Sequence, residues 1–113
     1  MDTKNNEIKQ LIDEIDQFSR ERDWDQFHNP KDIALALSIE ASELLEAFLW
    51  KNPEDAKIEK VKEELADVFN YALMMAGKYD LDVSQIIREK IAKNAEKYPV
   101  EKAKGIATKY NEL

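Results

Sequence analysis

Apolar residues recur at every third or fourth position along most of this 113-residue chain, and helix breakers are scarce, with two glycines and three prolines. That combination suits helices and leaves little for strands, which need an alternation of period two bounded by turn residues. Four helices are predicted. The first runs roughly from Asn5 to Arg22, on Ile8, Leu11, Ile12, Ile15 and Phe18. A connector from Asp23 to His28 leads to Asn29-Pro30, an N-cap residue followed by proline at the first helical position, and the second helix continues to about Trp50. Asn52-Pro53-Glu54-Asp55 repeats that start signal, with acids where the helix dipole favours them, and opens a third helix that ends at Met75 or Ala76, near Gly77. Asp82-Val83-Ser84-Gln85 has capping-box spacing and opens a fourth helix that must stop near Pro99. Val100 to Leu113 are polar with scattered apolar positions. The expected fold is all-α and four-helix-bundle-like, a single domain over residues 1–113.

Charge and composition narrow the function. Acidic residues outnumber basic ones 24 to 17, a net charge of −7, which argues against binding duplex DNA through a basic face. Cysteine is absent, so disulfides and thiolate metal sites are excluded. No apolar run approaches the roughly 18 residues of a membrane span. The opening MDTKNNEIKQ lacks a cationic, apolar signal pattern. The expectation is a cytoplasmic protein with no membrane partner. A small helical domain buries a modest share of its surface, which favours self-association.

The carboxylates of the second and third helices fall in unusual places. At roughly 100° per residue, Glu40 lies in the middle of an apolar band made by Ile33, Ala36, Leu44 and Ala47. Glu43 and Trp50 border that band. Leu35, Leu45 and Leu49 cover the opposite side, so this helix reads as apolar almost all round and central. On the third helix Val61, Leu65, Val68, Ala72 and Met75 form the apolar face, and Glu64, Asp67 and Tyr71 make a stripe along its edge. Glu59, Lys60, Lys62 and Glu63 read as the solvated charges of a surface face. A carboxylate against an apolar core is costly unless paired or protonated. Acids three residues apart project from one side of a helix. Glu40/Glu43 and Glu64/Asp67 can therefore converge on one pocket, and such an oxygen-only ligand set suits Mg²⁺ before Mn²⁺ or Ca²⁺. Solvated helices also carry such pairs without binding metal. A di-iron bundle would need Glu-x-x-His motifs, and the one histidine, His28, lies in a loop.

On the fourth helix Lys90, Asn94 and Lys97 share a face. Alone that is a solvated lysine stripe; beside a metal-carboxylate pocket it can hold phosphates. Trp24 and Trp50 stand at the ends of elements, where an indole either stacks on a nucleobase or covers the core edge. Tyr71 either closes the core or reaches a ligand, and His28, beside a helix N-cap, reads as a local structural group. The two glycines form no phosphate-cradling loop, so phosphate chemistry must run through metal and side chains.

Taken in order, these residues resemble the MazG-like all-α nucleoside triphosphate pyrophosphohydrolases, and within them the dCTP pyrophosphatases. The resemblance rests on Glu21 to His28, Leu37 to Glu46 through Trp50, Glu63 to Val68 with Tyr71, Lys90 to Pro99, and Lys109 to Leu113. It implies Mg²⁺-dependent hydrolysis between the α and β phosphates, giving monophosphate and pyrophosphate. It also implies metal ligation by Glu40, Glu43, Glu64 and Asp67, and contacts to substrate from Trp24, Trp50, Tyr71, Lys90 and Asn94; His28 and Lys97 are further candidate substrate contacts. Homo-oligomers, dimeric or tetrameric, are implied as well. Mammalian-type dCTP enzymes have a histidine where Ile15 stands here, and a longer connector than Lys51 to Ile58. Glu43 and Glu40 are the candidates for general base, and spacing does not separate base from ligand. The alternative is a non-catalytic helical oligomer that binds a nucleotide or a protein.

Overall fold

Asn6 starts the first helix, its side chain accepting a hydrogen bond from the Lys9 N–H at 3.0 Å. The structure, a computed structural model, describes residues 6–112, so the expected start at Asn5 lies outside the described residues. Helix α1 spans Glu7–Glu21. It stops because Asp23 turns left-handed (φ 57°), which lets the Asp23 N–H reach the Arg20 carbonyl at 3.1 Å and the Trp24 N–H reach that of Ser19 at 2.9 Å. This is a Schellman closure with aspartate in the usual glycine place. A 3₁₀ turn, Asp25–Phe27, follows.

Helix α2 spans Pro30–Glu46 and begins as predicted, with the Asn29 side chain accepting from the Asp32 N–H at 2.9 Å and proline in the first turn. It ends before Trp50. Phe48 and Leu49 donate to the carbonyls of Leu45 and Glu46, three residues back, and the tightened turn closes at Trp50, whose φ is 62°. The second Asn-Pro signal makes only the 3₁₀ turn Pro53–Asp55, because Asn52 forms no side-chain cap and Ala56 and Lys57 are extended. Helix α3, Ile58–Lys78, starts without a side-chain cap and runs past Met75 and Ala76. Asp80 (φ 52°), not Gly77, supplies its stop, with the Leu81 N–H donating to the Ala76 carbonyl at 2.9 Å. Gly77 serves packing instead: a Cβ there would stand 3.0 Å from Ile12 Cγ2, so glycine admits the close approach of α1.

Two compact units divide the chain after Leu81. In the first, α3 packs against both α2 and α1. Ile33, Ala47 and Ala76 are its buried apolar residues, and Ile33 and Ala47 mark the band on α2 that the periodicity predicts. The expectation that α2 is the central helix fails: Leu35, Leu45 and Leu49 on its second apolar side are all exposed, and α3 is the helix shared by two neighbours.

In the second unit, α4 (Val83–Lys97) is capped by Asp82, which accepts from the Gln85 N–H at 3.0 Å. Half of the expected box forms, since the Gln85 side chain donates forward to Glu89 at 2.9 Å. Helix α4 stops ahead of Pro99, as predicted, and is followed by the short helix α5, Val100–Ala103, and a 3₁₀ turn at Tyr110–Glu112. No strand occurs among the described residues, so the fold is all-α. No described helix is long and apolar enough to cross a membrane.

Candidate functional site

Three carboxylates meet where the buried faces of α2 and α3 oppose one another. Glu40 and Glu43, one turn apart on α2, are half-buried, and Glu64 on α3 is 8% exposed. One carboxylate oxygen from each lies within 4.8 Å of the other two. Oxygens bound to one Mg²⁺ at about 2.1 Å are at most about 4.2 Å apart, so small side-chain adjustments close this group around a divalent ion. The donor set fits a hard cation.

Without such an ion the site is electrostatically crowded. The Glu40 carboxyl is pushed up to about 7, first by its hydrogen bond to Glu43, then by burial and by the charges of Glu43, Asp67 and Glu64. Burial, reinforced by Glu40, Asp67 and Glu43, also raises the Tyr71 hydroxyl above its ordinary value. Tyr71 and Asp67 are half-buried on the stripe that helical spacing predicts. Asp67, expected as a fourth ligand, acts on Glu40 and Tyr71 through its charge but is not in the tight group of three among the described residues. Lys60, expected to be an ordinary surface charge, places its Nζ 3.7 Å from Glu64 Oε1 while its side chain stays 52% exposed. A single screened ammonium does not neutralise this cluster.

The two tryptophans differ. Trp24 is half-exposed, its ring edge-on to Phe18 at 5.8 Å, and the Arg22 guanidinium lies 3.7 Å from the other ring's centroid. Trp50 is 99% exposed and sits in the left-handed region, which strains a bulky side chain by about 1–3 kcal/mol. His28 is half-buried at the end of the 3₁₀ turn, lining a pocket of about 280 Å³ with Ser19, Arg20, Asp25 and Lys78. Asp25 accepts a hydrogen bond from Lys78 Nζ at 3.0 Å, and that ammonium holds its carboxyl below the ordinary range. Sequence reasoning missed this pair, whose members are 53 positions apart with no local signature. Lys90, Asn94 and Lys97 belong to α4 in the second unit; the lysines are exposed, and half-buried Asn94 accepts from the Tyr98 N–H through its carbonyl at 2.8 Å.

Comparison with known proteins places this geometry. The MazG-like family pattern matches residues 35–113. The dCTP pyrophosphatase 1 of Mus musculus is 36% identical over 105 residues, covering 86% of this chain and 62% of that protein. The Homo sapiens dCTP pyrophosphatase 1 is 34% identical over the same shares. The chain thus spans 62% of the length of these curated relatives. A crystal structure of a pyrophosphatase from Archaeoglobus fulgidus superposes with a TM-score of 0.75 at 33% identity, over 84% of this chain and 94% of that one. With paired acids on facing helices and a match across most of its length, the chain belongs to the MazG-like family.

Proposed function

We propose that this chain hydrolyses (deoxy)nucleoside triphosphates, dCTP or a related dNTP, to the monophosphate and pyrophosphate, with Mg²⁺, in the manner of a nucleotide-pool cleaning enzyme. The observation that carries this reading is the convergence of Glu40, Glu43 and Glu64 within 4.8 Å. A chain of net charge −7 repels a triphosphate, and three clustered acids add to the repulsion. Mg²⁺ held by these carboxylates, with Asp67 completing the set, supplies positive charge to the phosphate oxygens; Mn²⁺ suits the same ligands. Glu43 takes the proton of the attacking water, whose oxygen bonds to phosphorus as the α–β anhydride bond breaks. Glu40, one turn away on α2, would hold the ion beside it.

Trp24 and Trp50 grip the base by stacking, with Tyr71 and His28 as further contacts. Lys90 and Asn94 are assigned to the phosphates on the strength of the family resemblance, and Lys97 because it shares their helix face. The names of the mouse and human relatives support a deoxycytidine substrate. We also propose that residues 1–113 act as one domain in the cytoplasm, without nucleic-acid partners, as a homo-oligomer in which a second copy covers the exposed Leu35, Leu45 and Leu49.

A panel of dNTPs and NTPs incubated with Mg²⁺ and resolved by chromatography tests the reading. Monophosphate and pyrophosphate are the expected products. Diphosphate as product contradicts cleavage at the α–β bond. No turnover by the folded protein favours a non-catalytic binding oligomer.

A further inference from the structure

The connector between α1 and α2 carries Trp24, and two kinds of restraint act on it. On one side its backbone is closed onto α1, with the Trp24 N–H donating to the Ser19 carbonyl at 2.9 Å, beside a Ser19 that is 3% exposed. On the other side the 3₁₀ turn that begins after Trp24 reaches across to α3 through the Asp25–Lys78 pair at 3.0 Å. The Arg20–Asp16 and Gln17–Glu21 bonds link successive turns of one helix, whereas this pair closes a gap of 53 residues. Asp25 and Lys78 both line the pocket of about 280 Å³ between α1, the turn and α3. The pair that ties the turn to α3 is therefore a direct ion pair at the wall of a pocket. Gly77, next to Lys78, lets α1 come close enough to α3 for the ammonium to reach the turn.

We propose that Asp25 and Lys78 form a latch that positions Trp24 for the nucleotide. They are positioning residues, not catalytic ones, and the inference rests on the reading that Trp24 stacks on the base. Both partners keep substantial solvent contact, with side chains 39% and 27% exposed, so the pair adds little to global stability. Its effect is local. Once the turn is free at its α3 end, the peptide after Trp24 can swing, and the half-exposed indole loses its fixed angle to Phe18.

The experiment has two arms. In a Trp50→Phe background, where Trp24 is the sole indole, acrylamide quenching reads the latch directly. Lys78→Met, which keeps the aliphatic stem, raises quenching, and Lys78→Arg restores it. In the protein with Trp50 intact, Lys78→Met raises KM for the hydrolysed dNTP about fivefold and leaves kcat within about twofold, with Lys78→Arg again restoring. Far-UV circular dichroism of each variant matches the parent. Unchanged quenching in Lys78→Met overturns the latch whatever the kinetics. Raised quenching with unchanged KM overturns the positioning role. In that case an unchanged KM in Trp24→Ala traces the failure to the stacking reading, and a raised one to the latch.

Discussion

Glu40 and Glu43 stand one turn apart on α2 and hydrogen-bond carboxyl to carboxyl, which keeps the Glu40 proton bound up to about pH 7. Two acids on the buried side of a helix are tolerable in only two ways: they share a proton or share a cation. Both ways leave measurable consequences.

The first concerns stability in the absence of metal. The folded-state value of Glu40, about 7, lies above the ordinary glutamate value of 4.5. Between these values the unfolded chain binds fewer protons than the folded one, so stability falls as pH rises. The contribution is complete below about pH 4.5 and gone above about pH 7. In EDTA, the melting temperature is expected to drop between pH 5 and pH 8, and Glu40→Gln to flatten that drop. A wild-type melting temperature that rises across this window contradicts the shared proton.

A cation must displace that proton. Binding of Mg²⁺ or Mn²⁺ at pH 6.5 is expected to release up to one proton, and apparent affinity to strengthen toward pH 8. Calorimetry in buffers of different ionisation enthalpy counts the protons. Zero released, with tight binding, places the metal elsewhere.

Trp50 offers a test of backbone strain. Its indole is 99% exposed at φ 62°, so removing the ring sacrifices little packing within one protomer. Trp50→Gly is expected to be more stable than Trp50→Ala by about 1 kcal/mol in chemical denaturation, because glycine accepts the left-handed conformation. Both variants raise KM for the dNTP. Equal stability of the two removes the strain.

The exposed face of α2 predicts association. Leu45, 62% exposed, lies with Leu35 and Leu49 on the side of the helix opposite Glu40. Sedimentation is expected to show a dimer or tetramer for the wild type and a shift toward monomer for Leu45→Lys, with helical content retained. A monomeric wild type at micromolar concentration contradicts a second copy on this face.

Local chemistry was legible in the sequence. Asn29-Pro30 and Asp82 start helices because a cap and its partner lie three residues apart. Helical spacing alone puts Glu40, Glu43 and Glu64 on facing buried sides, where the structure has them. Legibility fails where the outcome depends on neighbours or on backbone that no spacing encodes. Asn52-Pro53 carries the same start signal as Asn29-Pro30, yet extended Ala56 and Lys57 cut it to one 3₁₀ turn. Trp50 continues the helical pattern but turns left-handed, and nothing about tryptophan announces that. Leu35, Leu45 and Leu49 make α2 read as central, yet all three are exposed, because periodicity reports apolar faces without saying what covers them. Asp25 and Lys78 meet only in three dimensions.

The central claim, that a divalent ion caged by α2 and α3 carries out triphosphate hydrolysis, is tested most directly by pyrophosphate release from dCTP. Wild type and Glu40→Gln are compared with Mg²⁺ and with EDTA. The wild type with Mg²⁺ should produce dCMP and pyrophosphate in equal amounts; EDTA should abolish this, and Glu40→Gln should lower the rate by at least about a hundredfold with circular dichroism unchanged. A Glu40→Gln protein that keeps wild-type turnover, or a wild type indifferent to EDTA, would contradict it.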